Sequence, residues 1–141
     1  MDHIFRTLLG TFDERCAAVV SLHEARYRNH LIVSSAIALL PLADHAGDKL
    51  NLLGCLRGYG VLAKNALPSA RKLLYDGHEG VQTSAIWMLQ ALEHHSIRAV
   101  PELVKLSLVF PRNYPEQQAR KAYIAIIKSW ISYVQRGAGF L

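Results

Sequence analysis

Three places in this sequence carry side chains that perform chemistry in other proteins. The stretch LLYDGHEGVQ (73–82) sets His78 and Glu79 between two glycines, just after Asp76. A His-Glu pair also opens the zincin helix, where the second metal-binding His must stand four residues after the first to leave the same face. Here that position is Gln82, so the ligand pair is incomplete. Glu79 in the first turn of a helix is favourable against the helix dipole, and 77–80 reads as a corner between helices. His94-His95 closes an apolar periodic run, where a cation is favourable, and no further ligand stands beside the two at helical spacing. Cys16 and His23 share a helix face seven residues apart, but no third group is placed to orient the imidazole. No phosphate-binding glycine loop, G-x-S-x-G elbow or CxxC occurs. The expectation is a chain without catalytic, cofactor-binding or metal-ligating residues.

The elements carrying these residues repeat. Pro68 opens ALPSARKLL and Pro101 opens AVPELVKLS, a step of 33 from 68 to 101. The turn GHEG (77–80) has a counterpart one such step earlier in DHAG (44–47), matching His78 to His45 and Gly80 to Gly47. The same step reaches PRNYP (111–115) in one direction and TFDE (11–14) in the other. A fixed period of this length is the mark of stacked supersecondary units. Between the turns the apolar spacing is helical: Val81, Ala85, Met88, Leu89 and Leu92 share one face, as do Ala119, Ala122, Tyr123, Ile126, Trp130 and Tyr133. Pro68 and Pro101 suit a first helical turn, and Gly58 and Gly60 a helix end. The expected map is all-α in one domain, with helices at about 2–9 and 13–28, 30–42 and 48–58, 66–75 and 79–93, and 97–109 and 115–135. These form hairpins over about 2–28, 30–58, 66–93 and 97–135. Gly54 and Gly58 inside 48–58 suggest close helix–helix contact.

Composition agrees with a folded domain. Of 141 residues, 51% are hydrophobic and 19% charged, enough apolar content for a core without staples. The net charge of +5 leans toward acidic partners, but the basic residues form no run. Cys16 and Cys55 lie in apolar helical patterns and read as buried thiols of a reducing compartment. MDHIFRTLLGTFDER lacks the pattern of a signal peptide, and the longest apolar stretch, 31–43, is too short to span a bilayer. The expectation is therefore a cytoplasmic chain without a membrane segment.

The segment ALPSARKLLYDGHEGVQTSAIWMLQAL (66–92) resembles a HEAT repeat, in particular the short form of HEAT-like lyase repeats. The resemblance rests on Pro68, Leu73, Leu74, Asp76, Val81 and Ala85. Pro101, Leu103 and Leu106 extend it into the next hairpin, and the first two hairpins match in period. It implies a right-handed α-solenoid of about four stacked hairpins, whose second helices line a concave binding face. HEAT repeats usually carry an Arg after the Val, able to ladder to turn carboxylates; Gln82 stands there in this chain. The Trp, Gly and Tyr positions of tetratricopeptide repeats and the TPLH turn of ankyrin repeats are not found.

Two faces stand out as expected interaction surfaces. With Ala85 centring the buried face of its helix, Trp87 points about 160° away, together with Thr83, Gln90 and His94. An exposed Trp among polar neighbours is a common interface anchor. On the last helix, Lys121, Ile124, Lys128 and Ile131 lie with Gln117 and Gln135 opposite Ile126, an apolar stripe in a basic border. Such a stripe on a terminal repeat calls for a cover: a protein partner, a second copy forming a homodimer, or the tail GAGFL. The expected function is a non-catalytic adaptor or scaffold binding a protein through these faces. The alternatives are a module binding nucleic-acid phosphates through Arg71, Lys72, Lys105, Lys121 and Lys128, and a lyase-type HEAT-like subunit.

Overall fold

A computed structural model describes residues 10–24, 30–109 and 114–138. Among them every element is helical: α1 (Phe12–Glu24), α2 (His30–Leu39), α3 (Ala46–Tyr59), α4 (Leu67–Leu73), α5 (Glu79–Ala91), α6 (Val100–Val109) and α7 (Tyr114–Ala138). Short 3-10 segments run over Leu40–Leu42, Gly60–Ala66 and Glu93–Ala99. The all-α expectation holds, and from α2 onward the helices fall within a few residues of the expected spans. The helix expected at 2–9, the residues 25–29 of its partner and the start of the PRNYP turn lie outside the described residues.

Helix starts follow from local hydrogen bonding. Thr11 Oγ1 accepts from Glu14 N–H at 3.3 Å and donates to the Glu14 carboxylate at 3.1 Å, a capping pair that opens α1. His78 opens α5: its extended backbone ends the turn and its Nδ1 accepts from Val81 N–H at 3.3 Å. The preceding Asp76 accepts from His78 N–H at 2.9 Å, which tightens the corner.

The sequence period is present in the backbone. His45 and His78 precede α3 and α5, which begin one period apart, at 46 and 79. The 3-10 segments starting at Gly60 and Glu93 run seven residues each and lead into α4 and α6, starting at 67 and 100. Gly60 has φ +57° and Glu93 has φ +55°, so matching positions take a positive φ, once in a glycine and once in a glutamate. This is a conformation that the sequence pattern at Glu93 does not announce.

The packing is equally regular. α1, α3, α5 and α7 each pack on the next of that series, and α2, α4 and α6 each lie against the helix that follows them. The apolar stripe of α5 (Val81, Ala85, Met88, Leu89) is wholly buried between these neighbours, joined by Leu52, Leu53 and Leu56 from α3 and Ala119, Ala122 and Ile126 from α7. Burying such aliphatic side chains stabilises by about 1.5–3 kcal/mol each, so this seam dominates the fold. Ser96 Oγ donates to the Leu89 carbonyl at 2.5 Å, satisfying an acceptor near the end of α5.

Two ion pairs join successive units. Lys49 Nζ lies 2.6 Å from Asp76 Oδ2, and Arg71 pairs with Glu102. Lys49 stands one period before Gln82, so the cation missing at 82 occupies the matching position one unit earlier and meets the turn carboxylate of the next. Gly58 admits the His23 ring, whose Cε1 stands 2.6 Å from where a Cβ would be. Gly54 corrects the expectation of close contact: nothing lies within 4 Å of a Cβ there.

Candidate functional site

α5 is covered on two sides, by α3 and by α7. The direction opposite Ala85 is therefore less open than a lone helical wheel suggests. Thr83, expected on the wet face, is buried at 5% exposure, because the neighbouring helices close over that end of α5. Trp87 is partly buried and Gln90 exposed. His94 does not stand with Trp87: it belongs to the Glu93–Ala99 segment and stacks on Tyr133, ring centroids 4.2 Å apart and planes 9° apart. Burial and the neighbouring His94 hold the His95 imidazole below its ordinary pKa.

Trp87 is held by both neighbours. Its Nε1 donates to Gln118 Oε1 on α7 at 3.0 Å, and the Arg57 guanidinium of α3 lies 4.9 Å from the indole centroid. The cation over the ring adds an attraction of about 0.5–1 kcal/mol at an exposed position. The indole is thus fixed by one directional hydrogen bond and one stacked cation. A groove of about 470 Å³ opens beside it, lined by Arg57, Trp87, Gln90, Ala91, Gln118 and Lys121. Trp87 also borders a recess of about 350 Å³ formed with Leu50, Glu79, Gly80, Thr83, Ser84 and Pro115. One end of this surface is cationic and the other apolar, with Glu79 at the apolar end.

Of the expected contact residues, Trp87, Gln90 and Lys121 come together in the groove and Thr83 lines the adjoining recess. Arg57 and Gln118 complete the groove and were not singled out in the sequence. The period could have found Arg57, which stands one step before Gln90 and so takes the same face of α3 that Gln90 takes on α5. Gly54 stands one step before Trp87, three residues from Arg57 on α3, and brings no side chain to that face. Gln118 belongs to the last helix, where no such match exists.

Ile124 and Ile131 are 43% and 48% exposed, and Lys121 and Lys128 are exposed beside them, so the outer stripe of α7 is on the surface as expected. The inner stripe departs from expectation beyond Ile126: Trp130 and Tyr133 are exposed at 38% and 48%. Residues 139–141 of the tail lie outside the described residues. Among the cations named for phosphate binding, Arg71 is engaged by Glu102, which raises its pKa further through their hydrogen bond.

The other polar residues have structural work. His78 caps α5, and Asp76 binds both Lys49 and the His78 N–H, contacts that hold its carboxyl below the usual range, the Lys49 bond foremost. Cys16 and Cys55 are buried free thiols, each pushed up to about 11, chiefly by burial. At neutral pH such thiols are protonated and weakly nucleophilic. Among the described residues no three His, Cys, Asp or Glu side chains gather as a ligand set, and no helix is long and apolar enough to cross a membrane.

Comparison of the chain with protein-family models, with curated proteins and with solved structures finds no match.

Proposed function

We propose that this chain is a single HEAT-like domain, a short right-handed α-solenoid serving as a non-catalytic protein-interaction module. Its partner lies along the concave face formed by α3, α5 and α7, with the outer stripe of α7 as a second contact. The observation that carries this reading is the convergence on Trp87: Arg57, Trp87 and Gln118 come from three successive helices of one series and meet at one partly buried indole. Aromatic anchors of this kind, ringed by polar groups, concentrate binding energy at protein interfaces. Support for the repeat architecture comes from the common register of helix starts and of the two positive-φ corners, and from the Lys49–Asp76 pair between units.

The test is Trp87→Ala in the full chain. The expected result is a loss of partner affinity of at least about 2 kcal/mol, roughly thirtyfold, in a protein whose helical circular dichroism stays near native. A gross fall in melting temperature would instead make Trp87 a core residue and remove the anchor from this reading.

A further inference from the structure

We infer that the Trp87 groove is a clamp for a short acidic peptide segment, with a carboxylate held between Arg57 and Lys121 and an adjacent apolar side chain in the recess across the indole. The inference rests on the reading that this face binds a protein, and it specifies the chemistry of what is bound.

Charge selects the occupant. Arg57 and Lys121 are both exposed, and among the described residues neither forms an ion pair with a carboxylate. Among the described residues no acidic side chain lines their part of the groove. Two cations facing one opening, without internal counter-charge, favour an incoming carboxylate, and a guanidinium can take it with two parallel hydrogen bonds.

The amides supply the main-chain contacts. An indole N–H only donates, so the Gln118 oxygen is occupied by Trp87 and the Gln118 amide N–H groups are left to donate to a peptide carbonyl. Gln90, exposed on the same rim, offers both a donor and an acceptor. Because the Trp87 ring is already fixed by Gln118 and Arg57, little side-chain freedom is lost there when the segment docks.

The recess sets direction and length. Leu50, Gly80, Thr83 and Pro115 line a pocket of about 350 Å³, room for one aliphatic or aromatic side chain. Glu79 at that end repels a second carboxylate, so the acidic side of the ligand must face Arg57 and Lys121. Glu79 to Gln90 spans about 16 Å of helix at the standard rise, matching about five residues of extended chain. A nucleic-acid strand fits less well. It would need a row of cations along its phosphates, whereas here two cations end at an acidic residue and Arg71 is taken by Glu102.

Panning a random heptapeptide library on the full chain reads this chemistry directly. The wild type is expected to enrich peptides with Asp or Glu one or two positions from Leu, Ile, Val or Phe. The affinity of a labelled peptide with one leucine followed by two glutamates, read by fluorescence anisotropy, should fall at least tenfold in the Arg57→Glu/Lys121→Glu double variant. Lys121→Glu alone, at an exposed position, should lower it several-fold, and circular dichroism checks that both variants are folded. Enriched peptides no more acidic than the starting library, but still lost on Trp87→Ala, would sink the clamp and leave the protein-binding reading standing. Peptides bound equally well by Trp87→Ala would sink both. Displacement of the acidic peptide by an equal or lower concentration of single-stranded oligothymidylate would replace the peptide with a polyanion and overturn the inference.

Discussion

Ile126 and Ile131 stand five residues apart on α7, yet the first is wholly buried and the second is 48% exposed. The first half of α7 behaves like α3 and α5, giving Ala119, Ala122 and Ile126 to the seam. In the second half every residue from Ile131 to Gly137 is exposed, Tyr133 and Val134 among them. The sequence pattern does not change between the halves; the neighbours do. α7 has 25 residues and α5, on which it packs, has 13. Past the end of α5 the neighbour of α7 is the Glu93–Ala99 segment, where His94 stacks on Tyr133 and leaves most of the surface of this half open. An amphipathic period therefore specifies which face wants cover, while the neighbouring elements decide how much of that face is covered.

The largest effect should come from the covered half. Ile126→Ala removes three buried carbons from the α5–α7 seam and is expected to destabilise by about 2–4 kcal/mol. Val134→Ala, in the exposed second half of α7, should cost no more than about 0.5 kcal/mol. Urea denaturation of the two variants makes the comparison. Equal losses would mean that the end of α7 is covered in solution.

Much of the covered region could be read from the residues. The turns at His45 and His78, the prolines at 68 and 101 and the apolar stripe of α5 fixed helix order and spacing, because each is a local signal repeated at one period. The burial of Thr83 was not legible, since it depends on how closely α3 and α7 approach α5. The exposure of Trp130 and Tyr133 was hidden for the opposite reason: helical periodicity carries no information on where a neighbour ends. In the candidate site Trp87, Gln90 and Lys121 were visible as types on a face. Arg57 was within reach of the period, as the counterpart of Gln90, whereas Gln118 became visible only when helices far apart in sequence were brought together.

The contact between units gives the next effect. Lys49 binds Asp76 across successive hairpins, and the Asp76 carboxyl is held below its ordinary pKa of 3.8. A depressed folded-state pKa contributes stability that is present above the unfolded value and is lost as pH falls through the folded one. Asp76→Asn should cost about 1 kcal/mol at pH 7 and flatten the stability profile below about pH 4. A variant that keeps the wild-type acid limb, measured by melting temperature against pH, would show that another carboxylate controls it.

The outer stripe of α7 should respond in assembly and hardly in stability. Ile124→Glu and Ile131→Glu place a charge in the outer stripe without lowering helix propensity much, so each should change unfolding free energy by no more than about 0.5 kcal/mol. Covering two Ile side chains is worth about 3–5 kcal/mol, much of which association costs absorb, so the contact they serve is of weak or medium affinity. Sedimentation and partner capture should both be weakened in the variants. Unchanged assembly and partners in a folded Ile124→Glu protein would show the stripe to be inert.

The smallest effect is expected at the corner where the two middle units differ. Gly60 and Glu93 occupy matching positions with nearly the same positive φ, +57° and +55°. For glycine this conformation costs little, whereas a residue with a Cβ loses about 1–2 kcal/mol in the left-handed region. Glu93→Gly removes that strain but also frees the unfolded chain, a penalty of about 0.4–1 kcal/mol that opposes the gain. The net expectation is a stabilisation of about 0.5 kcal/mol, read as a rise in melting temperature of a few degrees at most. Gly60→Ala is the companion variant and should destabilise by at least about 1 kcal/mol, because φ +57° with ψ −132° is a conformation that favours glycine. If Glu93→Gly is destabilising, the Glu93 side chain makes a contribution that outweighs its backbone strain. The two corners would then be alike in φ but not in what holds them.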